Sequence, residues 1–148
     1  MKYEINEETM AIIPINEKNT KIIEISKEYV IPQSTFEILE ENCEYYGSTY
    51  NGRIKSAQKI LNFSYKIPLL IEESEKLIFF PTKSYSSEDC CWINHNYVKS
   101  REKKGNKTKV IFENGIEQEF NISKLSFENQ LLRAGMLDAI ISKRIKKK

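Results

Sequence analysis

One histidine, one tryptophan, three cysteines and five glycines are all that this 148-residue chain carries of those types. Each scarcity removes a class of chemistry. Because His95 is the sole histidine, any Ser-His-Asp or Cys-His pair must run through it. Cys91, four residues away, falls on the same side of an alternating strand but well beyond hydrogen-bond reach. Cys43, Cys90 and Cys91 are odd in number and two are adjacent, a poor disulfide framework. A metal site through Cys90, Cys91 and His95 competes with buried structural thiols beside a polar histidine; with no CxxC present, the second reading is preferred. Neither a metal nor a cofactor is expected. The sequence has no GxGxxG and no GxxxxGK[ST] loop. Its acids fall in surface-like runs that single out no catalytic pair. These absences point away from an enzyme.

Long apolar runs are also missing. Ile67–Ile71 and Leu77–Phe80 are far short of the roughly 18–20 residues of a spanning helix. The N-terminal stretch Met1–Glu8 is polar and acidic, without the apolar centre of a signal peptide. The expectation is a cytoplasmic protein with no membrane partner.

What is present is bulk and patterned charge. Hydrophobic residues make up 40% and charged residues 30%, the balance of a globular chain able to bury a core. The length suits one domain spanning residues 1–148. The net charge of +2 hides a strong segregation. Residues 1–44 carry a net −6, residues 45–71 four basic residues and no acid, residues 72–98 a net −3, and residues 99–148 a net +7. One basic group is Arg53, Lys55, Lys59 and Lys66; another is Lys99, Arg101, Lys103, Lys104, Lys107 and Lys109. A tail of Lys143, Arg144, Lys146, Lys147 and Lys148 follows and is expected to fray. Such clusters suit a polyanion, because each neutralised phosphate releases condensed counterions.

Periodicity predicts an α+β fold: antiparallel strands and hairpins with a C-terminal helix and one or two short helices. Met10–Ile15 reads as a strand, with Pro14 suggesting a sheet edge. Partial alternation over Thr20–Val30 reads as a second strand. Gln33–Asn42 suggests a short helix with Phe36, Leu39 and Cys43 near one face. Gly47 and Gly52 mark a loop, followed by a helix over Arg53–Leu61 whose start is a seat for phosphate. Ile67–Ile71 and Leu77–Phe80 read as strands about an acidic turn, and Cys91–Val98 as one alternating strand. Lys99–Lys107 reads as a charged loop. Asn114-Gly115 between Thr108–Glu113 and Ile116–Ile122 predicts a two-residue hairpin turn with both residues at positive φ. The final helix takes Ser126 as its N-cap. It has two apolar stripes: Phe127, Leu131, Ala134, Ile141 and Ile145, and nearly opposite them Leu132, Met136 and Ile140. Either the helix is covered twice within its own core or the second stripe is a subunit interface.

Four blocks resemble one family. Cys43-Glu44-Tyr45-Tyr46-Gly47-Ser48-Thr49-Tyr50-Asn51-Gly52-Arg53 resembles the C-x-(aromatic)-(aromatic)-G-S-x-Y-x-G-R segment of ComK competence transcription factors. Phe80-Pro81-Thr82-Lys83-Ser84 resembles their FPT-x-S, and Cys90-Cys91-Trp92-Ile93-Asn94-His95 their C-x-W-I-x-H. Ser126-Phe127-Glu128-Asn129-Gln130, with Arg133, resembles S-F-E-N-Q-x-x-R. The blocks come in the family's order and cover about residues 10–140.

The resemblance implies a transcriptional regulator of DNA-uptake genes, bound to the nucleoid. Such factors bind paired A-run/T-run promoter boxes, mainly in the minor groove, as multimers. RNA polymerase and a Clp-protease adaptor are implied partners. Longer members continue past the S-F-E-N-Q helix into an extension that carries adaptor recognition; here the sequence stops at Lys148, so the resemblance leaves that control open. A narrow A-tract minor groove concentrates negative potential and draws in Arg and Lys. On this reading Asn51 and Arg53 contact the groove or phosphates, flanked by Lys55 and Lys59, while Lys99, Arg101, Lys103, Lys104 and Lys107 contact the backbone. Equally open is that Gly47 and Gly52 only shape a turn while Arg53 pairs with an acid. Trp92 and His95 are read as core and structural hydrogen bonding. The rival function is a non-activating modulator that pairs with a full-length ComK-type protein; RNA binding is a third, without an RNP-type aromatic pattern to support it.

Overall fold

Successive strand residues enter two different cores, and that alternation organises the molecule. The computed structural model describes residues 1–146. Six strands form one antiparallel sheet: β1 (Thr9–Asn16), β2 (Asn19–Glu24), β3 (Glu28–Ile31), β4 (Leu69–Glu72), β5 (Leu77–Pro81) and β6 (Trp92–Asn94), in the order β3-β2-β1-β6-β5-β4. Ile12, Ile22, Leu69, Ile71, Phe79 and Trp92 face one core, capped by α1 (Thr35–Tyr45). Their neighbours Ala11, Ile23, Leu70, Ile78, Phe80 and Ile93 face the other. The second core is closed by α2 (Tyr50–Leu61), α3 (Lys124–Lys146) and a three-stranded sheet of β7 (Val98–Lys104), β8 (Lys107–Phe112) and β9 (Glu117–Phe120). A strand covered on both faces reads as a continuous apolar run, which explains Leu69–Ile71 and Leu77–Phe80. The fold is α+β. Among the described residues, no helix is long and apolar enough to cross a membrane.

Several elements depart from the sequence reading for identifiable reasons. β1 is central, not an edge, yet Pro14 lies past the last residue that β6 pairs, so its missing N–H breaks no ladder on that side. The Thr20–Val30 alternation is split by a turn in which the Glu24 amide donates to the Lys27 carbonyl. On α1, Phe36 points outward at 53% exposure. The buried face is Ile38, Leu39, Asn42 and Cys43. Asn42 is tolerated there because its amide donates to the Tyr3 and Ile38 carbonyls and its oxygen accepts the Ile5 amide, tying the N-terminus to the helix.

The 91–98 stretch is three structures rather than one strand: β6, a 3₁₀ turn at His95–Tyr97, and the start of β7. Lys99–Lys107 is no loop. It is most of a hairpin whose two-residue Gly105-Asn106 turn has Gly105 at φ +62°. Alternation was masked there because charged residues occupy inward as well as outward positions. The Asn114-Gly115 turn is a three-residue loop: Phe112 and Ile116 close it, and only Gly115 has positive φ, at +89°. Asn114 is held there by donating to the Ile25 carbonyl.

α3 starts before Ser126. Ser123 caps it, accepting the Ser126 amide on its hydroxyl and the Phe127 amide on its carbonyl. Its buried face is Phe127, Gln130, Ala134, Leu137 and Ile141. The second stripe is covered only at its end: Ile140 packs against the core, whereas Leu132 is 64% and Met136 39% exposed. α3 is helical through Lys146; Lys147 and Lys148 of the expected frayed tail lie outside the described residues.

Candidate nucleic-acid interface

α2 carries Arg53, Lys55 and Lys59 of the first basic group; Lys66 follows in the segment before β4. It begins three residues earlier than the spacing predicts, because Thr49 caps it and accepts the Gly52 amide on its hydroxyl at 2.9 Å. Asn51 is therefore an exposed residue of the first turn rather than a loop residue. Gly47 alone makes the preceding turn, at φ +86°. Gly52 is helical, and a Cβ there would sit 3.0 Å from the Thr49 hydroxyl, a tight contact that would press on the cap. Arg53 turns inward. Its side chain is 16% exposed, with Nη1 3.7 Å from Glu73 Oε1 on the β4–β5 turn. Lys55 and Lys59 stay on the exposed side of the helix.

The second basic group is the β7–β8 ribbon. Lys99, Lys103, Lys104 and Lys107 are exposed along it and at its tip. Arg101 pairs with Val110 across the ribbon, on the face turned to the core, and reaches α3. It grips Glu128 with two donors, Nε at 2.6 Å and Nη2 at 2.8 Å. The guanidinium holds the Glu128 carboxyl below the usual carboxylate range, and the carboxylate raises Arg101 in turn. On the outer face Lys109 lies between Glu102 and Glu117, 3.2 Å from each. Among the described residues Lys55, Lys59, Lys99, Lys103 and Lys107 make no ion pair, whereas Lys104 approaches Glu102 at 4.0 Å.

The α2 lysines and the ribbon are not brought together, although Lys66, beyond α2, lies near the ribbon's end of α3, where Gln130 donates to its carbonyl. Arg101 meets α3 at Glu128, whereas Lys59 lines a shallow depression with Arg144 near the other end. The sixteen intervening residues of α3 correspond to about 24 Å. Arg144 beside Lys59, and Glu73 and Glu128 as partners of the arginines, were not identifiable by sequence spacing. Only Glu128 had a signal, its place in the S-F-E-N-Q block. The rest of that block is bracing: buried Gln130 donates to the Lys66 and Pro81 carbonyls. Arg133 donates to the Tyr65 carbonyl and stacks 4.0 Å over the Phe63 ring.

No activated nucleophile accompanies these groups. Burial pushes the thiols up, Cys43 to about 12, Cys90 to about 11 and Cys91 to about 12. His95 Nε2 lies 3.1 Å from Asp138 Oδ2; burial lowers its pKa, and the carboxylate opposes that without reversing it. Trp92 is 3% exposed in the core. Among the described residues no group of three or more His, Cys, Asp or Glu side chains is placed to hold a metal ion.

Comparison with known proteins bears on the same residues. A family model described as ComK protein matches residues 1–146. The competence transcription factor of Bacillus subtilis (strain 168) is 34% identical over 147 residues, covering 97% of this chain and 77% of that protein. No solved structure matches. The family match spans both basic elements, both cores and all four motif blocks: the chain belongs to the ComK protein family.

Proposed function

We propose that this protein is a cytoplasmic, nucleoid-associated DNA-binding regulator of competence genes, not an enzyme, acting as a multimer on A+T-rich promoter boxes through the minor groove. Family membership supports the class. The observation that carries the mode is the division of labour among the basic residues. Lys55, Lys59, Lys99, Lys103 and Lys107 have no internal acid and stand exposed or at the rim of two separate elements, as phosphate contacts require. Lys104 joins them at the ribbon tip, its approach to Glu102 being loose and exposed. Arg53 and Arg101 position these elements, holding α2 to the β4–β5 turn and β7 to α3. Asn51, exposed at the start of α2, is the polar side chain available for a base edge on that side. α2 and the ribbon meet α3 at Arg144 and at Glu128, near its opposite ends, so each meets the duplex as a separate element.

The uncovered part of the second α3 stripe supports self-association. Leu131, Leu132, Gly135, Met136 and Ala139 line a shallow cavity there, closed at one end by the Arg101–Glu128 pair. The same stripe favours the second reading, a modulator that pairs with a longer relative.

Fluorescence anisotropy at near-physiological salt separates the two. A duplex with two A-run/T-run boxes is compared with a shuffled G+C-rich duplex. The regulator reading expects a preference of at least about a hundredfold, roughly 2.7 kcal/mol, abolished by a minor-groove drug. Equal weak binding to both, converted to specific binding by adding a full-length relative, would establish the modulator instead. Leu132→Glu should dissociate multimers in sedimentation without unfolding the chain; unchanged multimers would place the interface elsewhere.

A further inference from the structure

We propose that the groove between the end of β1, the start of α1 and the loop before β6 binds a cationic, apolar peptide segment of a protein partner. This site lies apart from the lysines assigned to DNA. Its cavity is about 640 Å³, within the span that holds a specific ligand. Residues of two motif blocks distant in sequence converge on it, together with the residue that follows a third. Tyr50 comes from the G-S-x-Y-x-G-R block, Tyr85 directly follows FPT-x-S, and Cys90 and Trp92 come from C-x-W-I-x-H. Neither the DNA contacts nor the ion pairs described above use these residues.

The lining is built of aromatic rings. Tyr50 sits at the centre, with Phe36 at 5.2 Å, Tyr85 at 6.2 Å and Trp92 at 6.3 Å between ring centroids. Tyr50 and Trp92 are each 3% exposed and form the floor, whereas Phe36 at 53% and Tyr85 at 68% stand open as walls. Aromatic walls left in water around a preformed apolar floor are the anatomy of a protein-binding hot spot.

Charge selects the occupant. Glu17, Glu88 and Asp89 line the groove. Lys83, which reaches its edge, is neutralised by Asp89 at 2.6 Å. Glu17 and Glu88 are exposed and make no ion pair among the described residues. An apolar floor with a carboxylate rim repels nucleic acid and attracts a peptide that alternates apolar and basic side chains.

The test titrates the full chain into a labelled peptide of alternating leucine and lysine, followed by anisotropy, and reads the emission of the sole tryptophan in the same titration. Saturable binding with a shift in Trp92 emission is expected. Charge reversal by Glu17→Lys with Glu88→Lys, and separately truncation by Tyr85→Ala, should each weaken it at least about tenfold, roughly 1.4 kcal/mol. Tyr85→Ala, which leaves the charge unchanged, should keep the DNA affinity of the parent, so failure here leaves the DNA reading standing. The proposal is overturned if a leucine–glutamate peptide binds as well, if the variants bind unchanged, or if Trp92 emission does not respond. Loss of multimers in the charge-reversed variant, without any peptide binding by the parent, would overturn it in favour of a second copy as occupant.

Discussion

The two sheets solve the burial problem differently. In the six-stranded sheet both faces are covered, so neighbouring residues such as Ile78 and Phe79 are both fully buried. In the three-stranded sheet only one face is covered: Val110 and Phe112 point inward, and Lys109 and Glu117 point out. The centre of the first sheet is given over to the two cores. The second keeps a free face and a free tip, which carry the exposed Lys99, Lys103, Lys104 and Lys107. What separates the two sheets is the number of covered faces, not the strand propensity of the residues.

Four substitutions break or sharpen that contrast. Phe79→Ala, in the doubly covered sheet, should cost about 3–5 kcal/mol in urea unfolding, because a large ring leaves a cavity its neighbours cannot fill. A loss as small as that of a surface site would mean the core can collapse around it. Gln130→Ala comes next. It removes the donor shared by the Lys66 and Pro81 carbonyls where α3 crosses β5, at about 1–3 kcal/mol. If unfolding is unchanged, those carbonyls find water and the brace is dispensable.

Arg101→Ala tests the link between the small sheet and α3. Both partners are about one-third exposed, so solvent screening limits the loss to under about 1 kcal/mol. Its pH dependence is more telling. The Glu128 pKa is lowered in the folded state, so the pair stabilises above the ordinary carboxylate pKa. That contribution is lost as pH falls through the lowered value. The Arg101→Ala variant should lack this acid limb, and an identical pH–stability curve would show that the pair contributes nothing. The smallest effect on folding belongs to Lys103→Ala with Lys107→Ala at the ribbon tip. The unfolding midpoint should not move, while the salt slope of DNA binding falls by roughly one unit per lost phosphate contact. A shifted midpoint with an unchanged slope would make the tip structural.

Short apolar runs and helical periods were legible: β1 and β5, buried on both faces, as apolar runs, and α1 and the core stripe of α3 by their spacing, although Phe36 of α1 and Ile145 of α3 point outward. The ribbon was not, because Lys99–Lys107 has charge at both inward and outward positions and so loses its period of two. Asn114-Gly115 signalled a hairpin correctly, but its loop length was set by Asn114 reaching Ile25, a contact 89 residues away. The basic site was half legible. Charge segregation marked the lysines, yet the arginines looked equally available until Glu73 and Glu128 were placed beside them.

By itself, then, the sequence determined the α+β class, the segregation of charge and the family, since these depend on residue types, local order and motif blocks. Only the tertiary structure decided which cations are paired, that Lys59 and the ribbon meet α3 near opposite ends, and that residues of two motif blocks meet in one groove. Each of these depends on distances between residues far apart in the chain, which are set by how two cores close around one sheet.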